Sequence, residues 1–271
     1  MKTKENLKHL LALVDDESPE VRDNILKELQ SYGPDLETDL IEFSSLLNDE
    51  KNQFLNPLLE QNRRVWLKEN FKEWKSFDDE IDQLEKFMEL IAVFQMGFEK
   101  GGKQKQLLEK LAGEFRNLGS TVDEIDLANF LFHEKNIHGS KDDYYNPLNS
   151  NMVYAIENRK GLPITLALLL IIVGAKFGFS IEGCNFPGHF LAKIIQQDEL
   201  ILIDCFNGGR LIFENDLKQT TEDQSLESIL KIVNMKTGTK VIVRRVLINL
   251  LNAYEKSGQT ENKELITSLL I

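Results

Sequence analysis

The stretch 163–176, running from Pro163 through Leu168, Leu169, Leu170, Ile171, Ile172 and Val173 to Lys176, limits the fold of this chain more than any other. Its apolar residues fall on every side of a helix, and a helix apolar all round is buried all round. Pro163 suits a first helical position and Gly178 an end. The run is too short to span a bilayer, and Pro163 and Thr165 interrupt it. The chain of 271 residues is long enough for one large domain or two ordinary ones, so it can supply such a core.

Three strand-like runs follow, at 180–185, 189–195 and 200–206. The turn Gln196-Gln197-Asp198-Glu199 makes the last two a hairpin. A four-residue loop there sets Asp204 opposite Leu191, diagonal to His189 and within side-chain reach. Asn207-Gly208-Gly209 then turns the chain toward 211–213. A buried helix leading into an antiparallel sheet is an α+β arrangement.

The front of the chain is helical. Leu7, Leu10, Leu11, Leu13 and Val14 lie at helical spacing until Asp15-Asp16-Glu17 interrupts them. Ser18-Pro19 is a start signal, a hydroxyl cap with proline at the first helical position. Val21, Ile25, Leu26 and Leu29 form the stripe of a second helix, stopped by Gly33-Pro34. Helical periods continue over 36–47, 54–71, 81–98 and 107–118, and Thr121 caps a helix reaching Phe132. Trp66 and Trp74 sit among charges as half-buried anchors. The segment 136–151 reads as a loop and 152–159 as a short helix. The C-terminal stretch reads as helices over 240–254 and 261–270, parted by Lys256-Ser257-Gly258.

Charge and cysteine count exclude several classes. Lys+Arg 32 against Asp+Glu 44 leaves −12 at pH 7. Nucleic-acid binding needs clustered cations, and anionic membrane surfaces repel such a chain, so neither is an expected partner. Cys184 and Cys205 cannot build a disulfide framework or a four-cysteine zinc site. The first residues lead into a charged amphipathic segment rather than a signal core, which points to the cytoplasm.

Four landmarks carry a resemblance: Tyr145-Asn146-Pro147-Leu148-Asn149-Ser150, Arg159-Lys160-Gly161-Leu162-Pro163-Ile164, Phe186-Pro187-Gly188-His189-Phe190 and Ile203-Asp204-Cys205-Phe206-Asn207-Gly208-Gly209. In this order they resemble the transglutaminase-like core of the bacterial SirB-type family. The resemblance implies an α+β, papain/transglutaminase-like core, a central buried helix packed on an antiparallel sheet, with an all-α N-terminal region and a short helical C-terminal tail. Residues 1–46 resemble one HEAT-type repeat, or form a plain helical hairpin. The transglutaminase-like domain covers 47–236, with a helical lead-in over 47–140 and the core over 141–236. The tail, 237–271, resembles the first half-repeats of a tetratricopeptide array, or is a clasp on the core.

Enzymes of that superfamily place a cysteine at the N-terminus of the central helix, where the dipole favours thiolate. A histidine on a facing strand and an aspartate on the next complete the triad. The resemblance puts the nucleophile position at Pro163 and the other two at His189 and Asp204. Thr165, the nearest hydroxyl, points about 200° around the helix from there. Cys184 precedes the turn into His189, whereas Cys205 follows Asp204 and faces the other side of its strand. His133 and His138 read as surface residues. The expected protein is a non-catalytic one that binds a peptide or protein segment in a degenerate cleft. The alternative is a thiol- or hydroxyl-dependent hydrolase or acyltransferase using His189 and Asp204 with a relocated nucleophile, Cys184 or Thr165. Neither a cofactor nor a metal is expected.

Overall fold

The computed structural model describes residues 4–119, 121–220 and 223–270. Two units partition the chain: Met1–Phe71 with Leu90–Gly102, and Lys72–Glu89 with Lys103–Ile271.

The first unit is helical: α1 (Lys4–Ala12), α2 (Pro19–Gln30), α3 (Asp35–Ile41), α4 (Asp49–Asn70) and the later part of α5 (Glu80–Gly101). Leu7, Leu11, Val14, Leu29, Leu36 and Leu55 are buried together at its centre. Pro19 opens α2 as expected, but the Ser18 hydroxyl makes no cap hydrogen bond. The turn is closed instead by Arg22, whose guanidinium donates to the carbonyls of Asp16 and Glu17 and sits 5.1 Å from the Phe54 ring centroid. The helix expected over 36–47 stops at Ile41 and gives way to a 3₁₀ turn, Ser44–Leu46. The next helix begins ahead of 54 because the Asn48 side chain accepts the Lys51 N–H at 2.8 Å and caps it. Trp66 is half-buried with its ring edge-on to Phe98.

In the second unit, Trp74 is more deeply buried than a half-exposed anchor and meets Phe87 edge-on. Then come α6 (Gln104–Arg116) and α7 (Glu124–Asn129). The cap of α7 is Asp123, not Thr121. The Asp123 carboxylate accepts the Ile125 and Asp126 N–H groups, and Asp126 returns the bond to the Asp123 N–H. The chain continues through β1 (His138–Gly139), α8 (Met152–Glu157) and β2 (Lys160–Gly161), which pairs in parallel with β1. Next is the central helix α9 (Pro163–Ala175), buried at every position from Pro163 to Gly174. It is wrapped by α6, α7 and α8 and packs on the sheet that follows.

That sheet is antiparallel, in the order β3 (Glu182–Cys184), β4 (Leu191–Gln196), β5 (Glu199–Asp204), β6 (Arg210–Phe213). The hairpin is tighter than expected by one pair, because Gln196 and Glu199 face each other. Gln197 and Asp198 close it with φ of 51° and 63°, the left-handed pair that a primed two-residue turn requires. The register is the expected one: Ala192 pairs with Ile203, and continuing it sets Leu191 opposite Asp204. Two strand ends differ from expectation. Phe186–His189 forms a turn, the His189 N–H donating to the Phe186 carbonyl at 3.0 Å, so β4 starts only at Leu191. After Asp204 the chain enters a 3₁₀ turn, Cys205–Asn207, instead of extending to Phe206.

Four helices complete the unit: α10 (Glu214–Thr220), α11 (Asp223–Asn234), α12 (Thr239–Lys256) and α13 (Thr260–Leu269). Of these, α12 packs on α9 and on the 3₁₀ turn Pro147–Ser150, and α13 packs on α12. Among the described residues no helix is long and apolar enough to cross a membrane.

Candidate functional site

Three asparagines shape the segment between β1 and α8. The Asn146 side chain accepts the Leu148 N–H and donates to Asp143, and Asn151 caps α8 through the Tyr154 N–H. Asn149 is buried and donates to the carbonyls of Asp143 and Tyr144. Its own carbonyl accepts the Leu162 N–H at 3.0 Å, which ties this loop to the start of α9. Backbone bonds from His138 to Arg159 and from Ser140 to Gly161 join the two short strands. Arg159 and Asn136 flank this pairing with φ of 57° and 53°, a conformation costly for residues with a Cβ.

These elements border a cleft of about 740 Å³, lined by residues 138–143, Asn158, Lys160, Phe206, Asn207 and Gly208. One wall depends on Gly139, since a Cβ there would lie 2.5 Å from both the ring and the carbonyl oxygen of Phe206. Asn207 and Phe206 connect the cleft to the two sequence-selected residues. His189 Nε2 lies 2.8 Å from Asp204 Oδ1. Asn207 donates to the same carboxylate twice, from its side chain to Oδ2 at 2.8 Å and from its backbone to Oδ1 at 3.2 Å. The Phe206 ring meets the imidazole edge-on, with centroids 6.1 Å apart.

The Asp204 side chain is 9% exposed and that of His189 25%. Burial alone would raise the Asp204 pKa, but the hydrogen bonds from His189 and Asn207 outweigh it and hold the carboxyl below its ordinary value. The carboxylate engages Nε2, so Nδ1 is the imidazole nitrogen outside this bond.

The candidate nucleophiles are elsewhere. Pro163 occupies the first turn of α9 and is buried. Thr165 is fully buried, with its hydroxyl unpaired. Cys184 is buried in a cluster with Leu191, Leu202, Leu217 and Val233, and that burial pushes its thiol pKa up to about 11 against the pull of Lys193 and Arg245. Cys205 is also buried, its thiol pKa raised by burial and by the neighbouring Asp204 charge. The structure therefore brings His189 and Asp204 together and leaves Cys184 and Thr165 under cover, without access to solvent. Among the described residues no group of three His, Cys, Asp or Glu side chains is placed to hold a metal ion. Asn207, Phe206 and His138 belong to the site but were not selected from the sequence. Asn207 lies inside a landmark, yet an asparagine between a phenylalanine and two glycines reads first as turn chemistry.

Asp204→Asn is expected to flatten the acid side of the stability profile. A depressed folded pKa contributes stability that is complete above the unfolded value near 3.9 and is lost as pH falls through the folded value. Urea midpoints between about pH 3 and 6 measure this, the wild type falling more steeply than the variant. Parallel slopes would mean that the carboxylate is not held as described.

Residues 103–247 match the family model described as the transglutaminase-like superfamily. A UPF0162 protein of Xylella fastidiosa (strain 9a5c) is 32% identical over 159 residues, 52% of this chain and 55% of that protein. F-box only protein 21 of Homo sapiens is 26% identical over 155 residues, 54% of this chain and 24% of that protein. A UPF0162 protein of Vibrio cholerae is 32% identical over 79 residues, 29% of each. The chain thus spans about half the length of the Xylella relative. No solved structure matches it significantly.

Proposed function

We propose, from the premise that this chain belongs to the transglutaminase-like superfamily, that its core binds a protein or peptide segment in the cleft beside His189 and Asp204 and performs no reaction on it. The observation that carries this reading is a histidine–aspartate–asparagine network kept in place while the start of the central helix offers Pro163 in place of a thiol. Binding needs the cleft and its polar rim, and both are present; acyl transfer needs a nucleophile at the imidazole. A match covering 54% of this chain takes in only 24% of F-box only protein 21, which fits a binding module carried by proteins of different build.

Within this reading the chain is of the SirB type. Residues 1–46 form a HEAT-like hairpin, 47–236 the transglutaminase-like domain with its papain-like arrangement, and 237–271 the tail. Packing of α12 on α9 favours a clasp over a tetratricopeptide array. Two unpaired thiols fit a cytoplasmic setting. The second reading, a hydrolase or acyltransferase, draws on the bond between Asp204 and a partly exposed His189, with Cys184 or Thr165 as the relocated nucleophile.

One experiment separates the two. The protein, incubated with a glutamine-containing peptide and a primary amine, is expected to release no ammonia above the protein-free rate. A small electrophile at neutral pH is expected to label Cys184 as slowly as Cys205. Turnover that disappears in His189→Ala, or rapid labelling of Cys184 alone, would establish the enzyme instead.

A further inference from the structure

His189 stands on a connection between strands, since β3 ends at Cys184 and β4 starts only at Leu191. The backbone bond from His189 to the Phe186 carbonyl is internal to that turn, and Pro187 and Gly188 at its tip are exposed. Phe186 packs against the cluster around Cys184, which seats the turn without orienting its tip. Yet a side chain that serves a site must be held to within about 0.5 Å, and the imidazole keeps a 2.8 Å bond to Asp204. The fixing contacts come from the C-terminal segment. Asn185, which opens the turn, donates its backbone N–H to the Thr237 hydroxyl at 3.3 Å, and its side-chain oxygen accepts a hydrogen bond from Arg245 of α12. The same guanidinium lies over the ring of Phe190, 5.5 Å from its centroid, and Phe190 is the buried residue that closes the turn. One planar group thus grips the residues on both sides of Phe186–His189.

We propose that Arg245 is a positioning residue for His189, and that the C-terminal helix α12 thereby belongs to the site as well as to the scaffold. The proposal deepens the reading of the tail as a clasp and rests on it, and it holds for a site that binds as for one that reacts. Arginine suits this task in a way that lysine does not. A guanidinium covers an aromatic ring with its face while its edge donates in the plane, so Phe190 and Asn185 are engaged at once. An ammonium on a flexible stem is a point charge without that fork. The chain of cause is short. Arg245 fixes Asn185 and Phe190, the turn between them sets where Nε2 points, and Asp204 accepts from Nε2. Asp204 is held independently by Asn207, so the imidazole is the partner whose place depends on the tail.

The test uses the full chain and reads the Asp204 carboxyl by carbon NMR titration, its signal assigned by its absence in Asp204→Asn. The hydrogen bond from His189 is the leading cause that holds this carboxyl down, so loosening the imidazole raises its pKa toward the ordinary value of about 3.9. His189→Ala removes that bond outright and sets the full scale of the rise. Arg245→Ala is expected to give more than half of it, and Arg245→Lys the same, because lysine keeps the charge but not the fork. Asn185→Ala removes the grip from the other side at an exposed position, and is expected to give a smaller rise of the same sign. Leu250→Ala is the control for general loosening. Leu250 is fully buried on α12, so its truncation is expected to lower the urea midpoint and leave the Asp204 titration in place. An unchanged titration in Arg245→Ala and Asn185→Ala, a return to wild type in Arg245→Lys, or an equal rise in Leu250→Ala would each overturn the positioning role while leaving the clasp intact. An unchanged urea midpoint in Leu250→Ala would overturn the clasp and the proposal with it.

Discussion

Leu169→Ala lowers the unfolding free energy of the second unit by roughly 2–5 kcal/mol. Leu169 is fully buried on α9, and its neighbours on the helix, Leu168, Leu170 and Ile172, are buried as completely. Helices lie around α9 and a sheet packs on it, so no exposed side chain is free to swing into the space left behind. The cost is then the lost transfer free energy plus that of an unfilled cavity. Urea unfolding followed by Trp74 fluorescence in a Trp66→Phe background reads this unit, because Trp66 belongs to the other. A loss below about 1 kcal/mol would mean that the surroundings of α9 relax freely, contrary to a helix packed on every side.

Gly139→Val is expected to cost about 1–3 kcal/mol, measured as a lower urea midpoint. Its Cβ would lie 2.5 Å from the Phe206 ring and 2.5 Å from the Phe206 carbonyl oxygen. A ring can rotate away, but a backbone oxygen moves only if the turn Cys205–Asn207 moves with it. That turn carries both Asn207 donors to Asp204 and the Phe206 ring that lines the cleft. One added side chain therefore displaces all three features. Gly113→Ala is the control. A Cβ there meets nothing within 4 Å inside α6, and stability is expected to rise by about 0.5–1 kcal/mol. An unchanged urea midpoint in Gly139→Val would show that the turn Cys205–Asn207 gives way without cost.

The legible parts of the chain were those in which neighbouring residues carry the signal. The burial of α9 follows from an unbroken apolar run, and the hairpin register from a period of two that only one pairing satisfies. Local reading failed where a distant residue decides. Polarity alone places His189 on the strand, because the backbone bond to Phe186 that keeps it in a turn leaves no mark on polarity. Thr121 reads as the cap because the reciprocity of Asp123 with Asp126 looks like an acidic first turn. β1 and β2 are two residues each, too short for any periodicity, yet they border the cleft. Among the site residues, His189 and Asp204 stood out through a motif, whereas the cover on Cys184 is assembled from Leu191, Leu202, Leu217 and Val233 on separate elements. α10 and α11 carry no landmark of the sequence, yet α10 and the end of α11 supply part of that cover.

The interleaving of the two units bears on the timing of synthesis. The first unit is not complete until Gly102 has been made, and by then Lys72–Glu89 has been synthesised ahead of the rest of its own unit. Glu85 accepts a hydrogen bond from Gln104 soon afterwards through its backbone carbonyl, but its ionic partner Lys176 comes much later. At about 5–20 residues per second the wait from Gly102 to Lys176 lasts roughly 4–15 s. During that interval the apolar side of the segment, Leu84, Phe87 and Met88, lacks the residues of its unit still to be synthesised. The early part of α5 is thus the stretch of this protein that must stay unaggregated longest while its fold is still being translated.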